Sequence, residues 1–405
     1  MDQLIGVFGI FILLAIAMAM SNNRVAISWR LVFWGLSLQL TFAIIILKTP
    51  IGIPFFGAID IFVKNLLSFS DAGSDFLFKS FGQNIVEAPL MNFAFRILPT
   101  LIFFSSLINV LYHLGVMQFL VKSTARIMQK TMGTSGSETL CISGNIFVGQ
   151  TEAPLLVQPF VSKMTNSELT AVMIGGFATV AGGVMAMYVS MLGNIDGIAG
   201  HLLAASIMSA PAALVVAKII YPETEESQTK GDLTISIKND DDNIMEALST
   251  GATNGMKLAA NVAAMLIAFV ATIAMVNAVL SLFGLSLEQI LGWIFSPLAW
   301  VMGVPWEEAY VVGSLMGKKL VLTELIAFGD LSTLISDNVL SERSAIISSY
   351  ALCGFANFAS IGIQLGGIGG IAPERRKDIA QLGLKTMFGG AIASWLTATI
   401  AGLLI

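Results

Sequence analysis

The chain has 405 residues, 56% of them hydrophobic and 12% charged, with a mean hydropathy of +0.82; a soluble domain carries about 25% charged residues, so a soluble globular enzyme is excluded and a membrane protein is expected. The net charge of −5 comes with no basic patch for nucleic acid, and membrane orientation follows the placement of Lys and Arg rather than their sum. Two histidines cannot build a histidine-rich metal site, and Cys141 and Cys353, both in apolar surroundings, read as packing residues rather than a disulfide.

Apolar runs follow in chain order at 4–20, 31–47, 97–120, 169–191, 202–220, 258–283, 345–370 and 386–405. A helix of roughly 20 residues crosses a bilayer, so the expected fold class is an all-α polytopic membrane protein with eight transmembrane helices. The start Met1-Asp2-Gln3 lacks the basic residues of a signal peptide, so the first run is expected to be retained. With both termini outside the cytoplasm, Arg24, Arg30, Lys122, Arg126, Lys130, Lys163, Lys230, Lys238, Arg375, Arg376 and Lys377 share one face, which the positive-inside rule makes cytoplasmic. Lys48, Lys64, Lys79, Lys318, Lys319 and Arg343 fall on the other side or at its edge. The acidic stretch 223–246 is a cytoplasmic connector, and the chain is expected in the cell (inner or plasma) membrane. Segments 54–69 and 287–302, apolar but carrying Asp60, Lys64, Glu288 and Gln289, are expected to lie along an interface.

Two segments fit no full span. The first, 134–163, must enter and leave on the cytoplasmic side if its flanking spans keep their orientation; Gly149 frees the backbone at the turn and Pro154 opens the returning half-helix. The second, 305–340, does the same from outside. Their tips carry Thr151-Glu152 and Thr323-Glu324, and each is followed by a span with small and polar residues, Thr179 within 175–184 and Asn357 and Ser360 within 354–360. Re-entrant hairpins of opposite entry are the mark of an inverted repeat, with a substrate site near the midplane where the broken helices meet. The expected division is scaffold helices 1–120, first transport repeat 121–221, linker 222–250, scaffold and external interfacial helices 251–304, and second transport repeat 305–405. A carboxylate near the bilayer centre costs on the order of 2.5–3.5 kcal/mol on insertion scales, so Glu152 and Glu324 read as functional rather than as packing.

The stretch Gly313–Lys319 imitates a P-loop, but it has one residue too few between its glycines, no Ser or Thr after the Lys and no preceding strand, so ATP drive has no support. Neither His lies in a hairpin or its partner span, and no HExxH pattern occurs, which speaks against an intramembrane enzyme. A channel would be distinguished by the absence of uphill accumulation.

Four stretches carry a family resemblance: Gly149-Gln150-Thr151-Glu152-Ala153-Pro154 within 145–159, Asn-Phe-Ala-Phe-Arg-Ile-Leu-Pro-Thr at 92–100, Leu352-Cys353-Gly354-Phe355-Ala356-Asn357-Phe358, and Pro373-Glu374-Arg375-Arg376. In these, in order and over nearly its whole length, the chain resembles the bacterial concentrative nucleoside transporters. The resemblance implies a homotrimer in the lipid bilayer, each protomer with a scaffold and a moving transport part. It implies that Gly149, Gln150, Thr151, Glu152 and Val184 surround the base of a nucleoside such as uridine or adenosine. Glu324, Asn357 and Ser360 would hold the ribose, with Phe355 packed beside it. Asn145, Val148, Thr179 and Val180 would hold sodium (Na+), partly through backbone oxygens; no other cofactor is implied. Thr179 stands where relatives often have Ser, and Thr323 where they commonly have Asn. Coupling to protons through Glu152 or Glu324 is the alternative; relatives that use protons tend to lack the Asn at position 145.

Overall fold

The computed structural model describes residues 2–50, 52, 54–64, 98–193, 195–230 and 241–405. Every regular element among them is helical, and no strand occurs. This is what an apolar solvent demands, because a helix satisfies its own backbone. The end of the interfacial segment 54–69, Lys79, the start of the 92–100 motif and the middle of the acidic linker lie outside the described residues.

Among the described residues, four helical stretches are long and apolar enough to cross a membrane: Trp29–Lys48, Asn166–Met191, Ile198–Ile220 and Pro373–Leu404, rising to six with two bent pairs. Ile198–Ile220 is buried along nearly its whole length and packs against Trp29–Lys48, Asn166–Ala178 and Arg376–Leu404. A helix that is apolar all round belongs at such a centre. Polar links tie it in: Gln39 Nε2 donates to Thr397 Oγ1 at 2.9 Å, and Ser209 and Thr397 share a hydroxyl bond of 3.2 Å. The periphery exposes Phe8, Phe11, Phe33, Phe119 and Leu282, a distribution suited to lipid and unsuited to water.

The apolar runs are less continuous than the sequence suggests. The run at 97–120 is two helices, Leu98–His113 and Val116–Met132, turned by 76° at Leu114-Gly115, where Gly115 takes φ +80°. The second is amphipathic: Met117, Val121, Ala125, Met128 and Met132 are buried while Lys122, Arg126 and Lys130 fall on other faces. The run at 169–191 breaks between Asn166–Ala178 and Gly182–Met191, and the run at 345–370 between Glu342–Leu352 and Phe358–Ile371. The helix Ile244–Leu280 starts inside what reads as linker, capped by Asn243 on the Glu246 N–H at 3.0 Å.

The segment expected as the first hairpin begins with Gly136–Asn145, set by a capping box between Ser135 and Glu138. It turns at 146–152 and continues as the 3-10 helix Ala153–Val157 and the short helix Gln158–Val161. Pro154 therefore opens a 3-10 turn rather than an α-helix. The segment expected as the second hairpin is Trp306–Val321, a break at Leu322-Thr323, and Glu324–Ser336, which packs back on Trp306–Val321. Lys218 joins the first segment to the central helix: buried, it pairs with Glu138 at 2.7 Å and donates to Ser167 Oγ at 2.8 Å.

Candidate functional site

The breaks meet. Thr323 caps Glu324–Ser336, and Glu324 is that helix's first residue, where the amide dipoles favour a negative charge. Tyr188 Oη donates to Glu324 Oε1 at 2.9 Å and Asn357 Nδ2 to Oε2 at 2.7 Å. Asn357 has no freedom to turn: its Oδ1 accepts the Ser360 N–H at 2.8 Å as cap of Phe358–Ile371, so its amide nitrogen must face the carboxylate. Tyr188 is held in turn by stacking on Phe328, centroids 4.2 Å apart. From the other side, Gln150 Nε2 donates to Ser360 Oγ at 3.1 Å, and Gln364 Nε2 donates to Gln150 Oε1 at 3.0 Å. The two broken segments thus share one polar network.

The network borders a cavity between the two broken segments. All nine residues expected around the substrate line it: Gly149, Gln150, Thr151, Glu152, Val184, Glu324, Phe355, Asn357 and Ser360. A second cavity shares Gly149, Glu152, Ala181 and Leu258 with the first, and reaches Asn109, Asp241 and Thr250 on the linker side. Gly149 is not among the glycines with positive φ; the Glu152 carboxylate folds over it, where a Cβ at 149 would displace that side chain.

The four residues expected at the ion gather behind this wall. Asn145 is fully buried, and neither Oδ1 nor Nδ2 has a hydrogen-bond partner among the described residues. A buried amide left so costs roughly 1–3 kcal/mol per group, a cost that a bound ligand would relieve. A Cβ on Gly175 would stand 3.5 Å from Asn145 Nδ2, and Thr179 Oγ1 donates to the Gly175 carbonyl at 2.9 Å, so Asn145 and Thr179 flank one helical turn. Thr179 and Val180 lie in the break before Gly182, whose N–H is taken by the Phe147 carbonyl at 2.9 Å. Val148 follows Phe147 in the first segment's turn. Oxygen ligands from Asn and Thr side chains and non-helical carbonyls suit a hard monovalent cation.

Three residues that matter were not singled out from the sequence. Tyr188 lies four residues after Val184 and Gln364 four after Ser360, so one helical turn from a named candidate would have found both. Lys319, placed from charge sorting at the outer edge, is instead fully buried. Its ammonium donates to the Ala351 and Cys353 carbonyls at 3.0 and 3.3 Å, the groups freed where Glu342–Leu352 ends.

Family models match along the chain: a Na+ dependent nucleoside transporter C-terminus at residues 201–402, its N-terminus at 8–81, and a nucleoside recognition (Gate) model at 94–195. An uncharacterized transporter of Haemophilus influenzae is 43% identical over 419 residues, covering 100% of this chain and 98% of that protein. Sodium/nucleoside cotransporter 1 of Homo sapiens is 42% identical over 424 residues, covering all of this chain, which spans 64% of that protein's length. The structure of CNTnw in an inward-facing substrate-bound state superposes with a TM-score of 0.90 at 41% identity, covering 100% of this chain and 98% of that one. A double variant of CNTnw in an outward-facing state gives 0.91.

Proposed function

The chain belongs to the Na+-dependent nucleoside transporter family, and on that premise we propose that it is a secondary active symporter that imports nucleosides coupled to sodium ions, and not an enzyme. The observation that carries this reading is the cavity in which a buried carboxylate, its two fixed donors and the Gln150 amide converge beside an Asn145 side chain that has no protein partner.

A nucleoside is neutral and polar, and crossing lipid would strip its hydrogen bonds. Glu324, with Asn357 and Ser360, replaces that water at the ribose, since a charged acceptor contributes about 1.5–3 kcal/mol per bond. Gly149, Gln150, Thr151, Glu152 and Val184 surround the base, and Phe355 packs beside the bound molecule. Sodium at Asn145, Val148, Thr179 and Val180 ties the first segment's turn to the break in the following span. That turn carries Gln150, so the ion raises the population of the conformation that meets the base. Inward movement of one cation gains about 2.3 kcal/mol per 100 mV, enough to drive accumulation. The second cavity, reaching toward the linker, is the path by which substrate leaves on the cytoplasmic side. Protons are the weaker reading, because Asn145 does not titrate and its buried amide lacks a partner.

The same reading includes an assembly. Eight spans and two re-entrant hairpins of opposite entry form each protomer, with transport repeats 121–221 and 305–405, scaffold parts 1–120 and 251–304, and the cytoplasmic linker 222–250. Three protomers sit in the cell membrane with both termini outside. Uptake of radiolabelled uridine and adenosine into proteoliposomes, with sodium and proton gradients imposed separately, tests the function. Accumulation driven by sodium alone is expected; uptake that never exceeds equilibrium would make the protein a channel.

A further inference from the structure

Gln364 lies wholly buried on Phe358–Ile371, behind the cavity wall rather than in it. Its amide nitrogen makes two bonds, to the Met173 main-chain carbonyl and to Gln150 Oε1, both 3.0 Å. The Met173 carbonyl can only accept, so the Gln364 atom facing it is nitrogen whichever way an amide is drawn. Both hydrogens of that nitrogen are then committed, and the Gln150 atom facing the second must be oxygen. Gln150 is left with its NH₂ turned to Ser360 Oγ at 3.1 Å and to the cavity. One of its hydrogens serves Ser360; the other is free for a ligand. Gly176 permits the arrangement, since a Cβ there would lie 2.8 Å from Gln364 Nε2 and 2.9 Å from Gln150 Cβ.

An isolated Gln in a binding wall offers donor or acceptor by turning its amide, and so tolerates opposite base edges. Here a backbone carbonyl sets the polarity through two successive amides. Two residues further along the turn, Glu152 lines the same cavity and is exposed. Ionised, it can only accept. The wall therefore offers a donor of fixed polarity at Gln150 and, two residues on, an acceptor at Glu152, while the ribose anchored at Glu324 keeps the base from sliding to another register.

We propose that Gln364 is a positioning residue that fixes the polarity of the base subsite, so that the cavity selects bases presenting a carbonyl beside a ring N–H over bases presenting an amino group beside a bare ring nitrogen. The first class contains uracil, thymine and hypoxanthine; the second contains cytosine and adenine. The second class is mismatched twice, its amino group meeting the Gln150 N–H and its ring nitrogen meeting the Glu152 carboxylate, and a polar group left unpaired at the buried Gln150 is what makes a pocket reject an analogue. The proposal rests on the nucleoside reading above and adds the base class to it.

The pairs uridine–cytidine and inosine–adenosine differ at this edge while sharing the ribose. Isothermal titration of the full-length protein in nanodiscs, at saturating sodium, should show uridine binding at least tenfold tighter than cytidine, and inosine tighter than adenosine. Gln364→Met keeps the volume but frees the Gln150 amide to turn; the uridine-to-cytidine ratio should fall to within about threefold of one, with sodium dependence unchanged. Gln364→Leu serves as a second variant. An unchanged ratio in both variants, or equal losses for the two nucleosides, would make Gln364 a packing residue and overturn the proposal, as would wild-type protein that binds cytidine as tightly as uridine. Wild-type protein that binds no nucleoside would instead refute the reading on which the proposal stands.

Discussion

Replacing Glu324 by Gln separates the charge of the cavity's carboxylate from its shape. The carboxylate accepts from Tyr188 at 2.9 Å and from Asn357 at 2.7 Å. Asn357 must donate, because its own oxygen is held by the Ser360 N–H. A Gln at 324 will therefore place its oxygen toward Asn357 and its NH₂ toward Tyr188, whose hydroxyl can rotate to accept. Both protein bonds survive, so folding stability should change little. The charge and one of the two acceptor oxygens are lost, since that terminus has become a donor, so at most one ribose hydroxyl can still be accepted, by a neutral oxygen. One charge-assisted bond contributes about 1.5–3 kcal/mol, and at 1.4 kcal/mol per tenfold the affinity for uridine should fall by roughly 10- to 150-fold. Calorimetric titration of wild type and variant with uridine and 3′-deoxyuridine checks the argument as a double-mutant cycle. Wild type should lose affinity on removal of the hydroxyl, and the variant should not. A variant that binds uridine within threefold of wild type, or still penalises the deoxy sugar fully, would remove Glu324 from the ribose.

Asn145→Leu keeps bulk but deletes the unpartnered amide; uridine binding should become weak and independent of sodium across a sodium series with choline replacement, and an unchanged sodium dependence would show that Asn145 is no ligand. Gly354→Ala forces a Cβ onto a backbone at φ +114°, 2.7 Å from the Phe177 carbonyl; strain of about 1–3 kcal/mol or more should lower the Tm in detergent by several degrees, and an unchanged Tm would contradict the close approach. Cysteines replacing the exposed Asp242 and Asp337 should react with membrane-impermeant reagents from the cytoplasmic side and from outside, respectively; labelling of both from one side would reject the opposed hairpins.

The linear sequence determined what depends on solvent and on near neighbours. An apolar composition with few charges leaves helices as the way to satisfy the backbone in lipid. Ser135 with Glu138, Thr165 with Glu168 and Asn243 before Glu246 announce helix starts, because capping needs residues only three apart. The wall residues were legible because Thr-Glu pairs in otherwise apolar stretches are costly unless used, and because the resemblance named the rest. Tertiary structure decided where those helices stop and which way their polar groups point. The break at Thr179-Val180-Ala181 is stable because Phe147 takes the Gly182 N–H, and the break after Leu352 because a lysine 32 and 34 residues away bonds the Ala351 and Cys353 carbonyls. No local pattern at either break contains those partners, so each run looked like one unbroken span. The same holds for Gln150: its residue type says only that it can donate and accept, and the Met173 carbonyl, acting through Gln364 on another helix, decides which of the two the cavity receives.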